Sequence, residues 1–166
     1  MTRKIAFYGV FAALAIIIAV IERMFPLTLP LPGIKLGLPN VVIVMVLYAF
    51  NPRWAISISI IRVVLVAQMF GGWFSAIWAL SGAIASFIAM ALAKRTGIFG
   101  VVGVSVVGGV THGIAQIGVA AIMVQTPGLF YYSPVLIIAG VITGIIIGYT
   151  SGLALKHIKI IQQGRA

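Results

Sequence analysis

The 166-residue chain has no cysteine and no aspartate, and Glu22 is its only carboxylate side chain. Without cysteine there is no disulfide framework, no thiolate metal site and no cysteine nucleophile. With a single carboxylate, acid–base dyads and aspartate-rich magnesium motifs are impossible within the chain. No phosphate-binding P-loop pattern is present either, so any nucleotide-driven step must come from another polypeptide. Charge is scarce as well: 7% of residues are charged, against about 25% in a typical soluble domain.

What the chain has is apolar length. Hydrophobic residues make up 63%, and the mean hydropathy is +1.26. So little polar surface excludes a soluble exterior and describes an integral membrane protein. A spanning helix needs about 20 apolar residues. Six candidate spans follow, at about 5–24, 36–50, 54–70, 73–93, 98–125 and 135–155, within one all-α transmembrane domain covering 1–166. Pro26, Pro30 and Pro32 forbid a continuous helix between the first two.

The formal net charge of +10 sorts by topology rather than pointing to nucleic acid. With the N-terminus inside, Arg3, Lys4, Arg53, Lys94, Arg95, Lys156, Lys159 and Arg165 fall on the cytoplasmic side; only Arg23 and Lys35 fall outside. That bias predicts an even number of spans, both termini cytoplasmic, and a basic face toward anionic lipid. The two longest connections, 25–35 and 126–134, then lie outside.

Polar residues inside the bilayer nominate a site. Arg62 lies nine residues beyond Arg53, roughly 13 Å along its helix and near mid-bilayer. A central arginine costs about 2.5–3.5 kcal/mol to insert, so it faces a cavity, a ligand or a carbonyl-rich neighbour. Ser105, Gly108, Gly109, His112, Gly113 and Gln116 share one stripe of the fifth span. Asn40 and Lys35 flank the start of the second span, as helix cap and headgroup anchor or as ligand contacts. Ser81 and His112 form the only serine–histidine pair worth weighing as a protease dyad, and no oxyanion motif accompanies them. On the first span, Ala12, Ala15 and Ala19 form a smooth stripe that suits either internal packing or a partner helix.

The run Pro32-Gly33-Ile34-Lys35-Leu36-Gly37-Leu38-Pro39-Asn40, together with Arg62 and His112-Gly113-Ile114-Ala115-Gln116, resembles the heptaprenyl diphosphate synthase component I family, also called the Gx transporter family. Members usually read Ala and Asn where this chain has Pro39 and Gly113. The layout is also similar to the substrate-binding S components of energy-coupling-factor (ECF) importers. That likeness implies a six-helix capture subunit in the inner membrane that binds a small vitamin- or cofactor-like molecule. The substrate would meet Lys35, Asn40, Arg62, His112 and Gln116, and the alanine stripe would dock a transmembrane coupling subunit served by separate ATPases. The family label implies instead a noncatalytic membrane partner of a soluble prenyltransferase. Neither reading makes the chain an enzyme, and neither calls for a metal or cofactor.

Overall fold

The computed structural model describes residues 2–25 and 36–163. Their order is α1 (Thr2–Met24), α2 (Pro39–Ala49), α3 (Pro52–Phe70), α4 (Gly72–Thr96), α5 (Val101–Met123), a 3-10 turn (Pro127–Tyr132) and α6 (Ser133–Gln163). The described residues contain no strand. Five of the helices are long and apolar enough to cross a membrane; α2 is not. The proline-rich stretch 26–35, with Lys35 at its end, lies outside the described residues.

The helix ends have local causes. Asn51 caps α3 by accepting the Arg53 N–H at 2.9 Å, and Pro52 occupies the first turn, where no N–H is needed. The structure therefore starts this helix two residues before the expected boundary. At the other end of α4, Lys94, Arg95 and Thr96 remain helical because nothing breaks the chain until Gly97, which takes φ 71°. Two cations in that last turn also suit the negative end of the helix dipole. α6 is longer than the expected 135–155, since Pro134 sits harmlessly in its first turn and Lys156–Gln163 carries no breaker. The expected fifth span shrinks to Val101–Met123, as Gly97 and Gly100 lie outside it.

Helix contacts close into a ring: α1 packs on α3, α3 on α4, α4 on α5, α5 on α6, α6 on α2, and α2 back on α1 and α3. The shortest helix is the most enclosed. Val42, Ile43, Val44, Val46 and Leu47 are each at most 2% exposed, as expected of a helix that is apolar all round. Its 11 residues extend only about 16 Å, half a bilayer. Gly37, at φ 69°, turns the chain before Pro39, so the expected span from residue 36 begins three residues late.

The tightest seam joins α5 to α6. A Cβ on Gly144 would stand 2.6 Å from Val106 Cα, one on Gly148 2.6 Å from Val102 Cα, and Gly109 and Gly140 meet backbone to backbone. Gly140, Gly144 and Gly148 thus form a stripe at four-residue spacing that lets two backbones touch.

Candidate functional site

Where α2 stops short, the bundle holds a cavity of about 370 Å³. Its walls come from one half of every helix: the end of α1, the start of α2, the second half of α3, the first half of α4, the second half of α5 and the first half of α6. This half contains the α1–α2, α3–α4 and α5–α6 connections. Arg53, Lys94, Arg95 and Lys156 lie toward the opposite end.

Four of the five residues expected to contact a ligand, Asn40, Arg62, His112 and Gln116, line this one cavity. The fifth, Lys35, is outside the described residues. Arg62 is 8% exposed, shares its face of α3 with Val63, Val66 and Ala67, and its Nε has no hydrogen-bond partner among the described residues. Gln68, on another side of α3, is exposed and takes no part. A guanidinium in an apolar bundle, with its Nε unbonded among the described residues, is suited to an anionic or carbonyl-bearing guest.

The surrounding polar groups are fixed from behind. Glu22 Oε1 accepts the Gly37 N–H at 2.7 Å, which ties the end of α1 to the turn that launches α2. Asn40 N–H closes the same turn on the Gly37 carbonyl at 2.8 Å. Arg23 donates to Ser75 Oγ at 3.1 Å, joining α1 to α4 beside the cavity. Glu22 and Arg62 both line the cavity, with no close ion pair between them among the described residues.

Gly82 explains how His112 and Gln116 fit. A Cβ there would lie 2.8 Å from both Gln116 Cγ and His112 Cε1, so the missing side chain on α4 is the space those two occupy. The serine beside it is no nucleophile for His112: Ser81 Oγ donates to the Trp78 carbonyl at 2.7 Å, within its own helix. The α5 stripe divides in two. Gly109, His112, Gly113 and Gln116 face the cavity, while Gly108 packs on Met90 and Ser86, and Ser105 is buried below it.

The alanine stripe of α1 is turned inward. Ala15 is fully buried in the core, Ala12 packs against that core, and Ala19 is 9% exposed and lines the cavity. Small side chains here let α1 lie close to its neighbours within the chain. Val10, Leu14, Ile17 and Ile21 face outward instead. Sequence reasoning had not assigned Thr143 or Gly140 to the site, although the four-residue glycine spacing of α6 was a visible sign of a packed face. Trp54 stacks on Phe50 at 5.7 Å and meets Tyr8 edge-on at 5.6 Å.

The sequence model of one family, described as heptaprenyl diphosphate synthase component I, matches residues 11–154, from the first turns of α1 to the middle of α6. No curated protein and no solved structure matches the chain.

Proposed function

The chain belongs to the heptaprenyl diphosphate synthase component I family, and from that premise we propose that it is a noncatalytic, multi-pass membrane subunit that holds a small anionic molecule in the Arg62 cavity. Its catalytic partner would be a separate prenyl-transferring subunit, as the family's name suggests. Chain elongation on diphosphates relies on carboxylates that hold magnesium. This chain offers only Glu22, and that carboxylate is bonded to Gly37 N–H.

The observation that carries ligand binding is Arg62: a buried cation whose Nε has no partner among the described residues, beside Asn40, His112 and Gln116. A subunit that merely anchored a soluble enzyme would need no polar chamber. In this reading α2 is counted as a sixth crossing. Both termini are cytoplasmic, the membrane is the inner one, and the whole chain forms one transmembrane domain. Lys35 approaches the ligand from the α1–α2 connection.

One observation favours a second reading, the capture subunit of an ECF-type importer for a vitamin- or cofactor-like molecule. The cavity lies in the half remote from the basic cluster, which the positive-inside bias assigns to the outside. Purification of the tagged protein from its native membrane, followed by mass spectrometry of bound polypeptides and small molecules, tests both. A prenyl-transferring partner supports the first reading; ATPases with a second membrane subunit support the importer. An empty Arg62 cavity in every preparation, with wild type and Arg62→Ala equally unaffected by the extracted small molecules, would defeat both.

A further inference from the structure

At the end opposite the Arg62 cavity, a second cavity of about 410 Å³ lies between the last turn of α2, the start of α5 and the second half of α6. Tyr48, Val101, Val102, Tyr149, Leu153 and Leu155 make it apolar along its length, and Lys156 stands at its outer lip. From Gly148 to Lys156 it follows α6 for about 12 Å.

Its glycines are of two kinds. Gly148 is required by helix packing, as the 2.6 Å approach to Val102 Cα shows. Gly100 and Gly152 also line the space, but a Cβ on either would meet nothing within 4 Å. Their bare backbones keep a groove open without serving any contact inside the protein.

The charge at this end is uncompensated. Lys94 is already engaged, donating to the Leu47 carbonyl at 2.6 Å with its ammonium 4.7 Å above the Tyr48 ring. Lys156 is exposed. The only carboxylate side chain, Glu22, lies in the other half beside Arg62. Among the described residues no carboxylate lines this groove, so the Lys156 ammonium is open to an anion from outside. The first turn of α5 opens beside the groove and has no side-chain cap, which adds attraction for a phosphate.

We propose that this groove seats an anionic phospholipid, its phosphate at Lys156 and an acyl chain lying along α6 over Gly152. An apolar slot ending at a cation, at the basic end of a chain with five membrane-length helices, matches the two-part chemistry of such a lipid. The site is separate from the Arg62 cavity and does not depend on the function proposed for it.

The test uses the full-length protein in bilayer discs of phosphatidylcholine, alone or mixed with phosphatidylglycerol of the same acyl chains. Retained lipid is read by native mass spectrometry and stability by thermal unfolding. Wild type should retain phosphatidylglycerol preferentially. Lys156→Gln should lower that preference about fivefold, the weight of ~1 kcal/mol per basic residue at an anionic surface. Gly152→Leu, which fills open space, should abolish retention while unfolding normally in pure phosphatidylcholine. Equal retention of both lipids by wild type, or unchanged retention in both variants, would overturn the proposal. So would equal stabilisation by inorganic phosphate alone, or a co-purifying polypeptide displaced by Gly152→Leu.

Discussion

Glu22 Oε1, in the last turn of α1, accepts the backbone N–H of Gly37 at 2.7 Å, two residues before α2 begins. The chain's single carboxylate side chain is thereby a structural clasp between two helices, placed beside a buried arginine that it does not closely pair among the described residues. Removing the acceptor leaves Gly37 N–H unbonded in a turn whose φ of 69° already restricts it to glycine. Glu22→Ala should cost about 1.5 kcal/mol, and Glu22→Gln, which keeps an acceptor, clearly less. Chemical denaturation in detergent micelles, comparing the two variants, measures the difference.

Arg62 sets function against stability. A buried guanidinium with an unpartnered Nε weakens the empty protein, so Arg62→Met should raise the melting temperature measured without ligand. The same change should remove the stabilisation given by a bound anionic ligand. Arg62→Ala should weaken binding by about 1.5–3 kcal/mol, tenfold or more in affinity, and Arg62→Lys should restore only part, lacking the planar fork. A loss of stability in ligand-free Arg62→Met would show instead that the guanidinium holds the bundle together.

Glycine substitutions separate packing from site. Gly144→Ala forces apart two backbones and should destabilise the protein by about 1–3 kcal/mol. Gly118→Ala, with nothing within 4 Å, should be neutral or stabilising by up to about 1 kcal/mol. Gly82→Ala meets side chains rather than backbone. It should displace His112 and Gln116 and impair ligand binding more than folding. Thermal unfolding and ligand titration of the three variants give the ranking.

Topology is accessible because the chain has no cysteine of its own. Single cysteines at Thr96 and Gln163 should resist a membrane-impermeant thiol reagent applied from outside, and one at Thr126 should react. Outside labelling at Thr96 would overturn the six-crossing arrangement.

Much of the site was legible because polar residues are expensive in a bilayer. Arg62, His112, Gln116 and Asn40 stand out from apolar surroundings, and all four meet at one cavity. The small residues were harder to read. A stripe such as Ala12, Ala15 and Ala19 says that something approaches closely but not what, and the approach proved to be internal. The role of Gly82 could not be read from its own helix, because it depends on His112 and Gln116 of another. The late start of α2 was hidden because Leu36 and Leu38 extend the apolar run, while the positive φ of Gly37 turns the chain before the helix begins.

The glycine seam between α5 and α6 bears on how the molecule assembles. Once inserted, helices have little hydrophobic drive to find one another, and close packing must supply the attraction. Glycine brings no side chain to immobilise, so this contact forms without rotamer loss. The two helices are also neighbours in the chain, joined by only the short stretch from Val124 to Tyr132. The carboxy-terminal hairpin is thus equipped to form first and serve as a template. The chamber, which needs α1, α2 and α3 against that template, then comes into being only when the amino-terminal helices arrive.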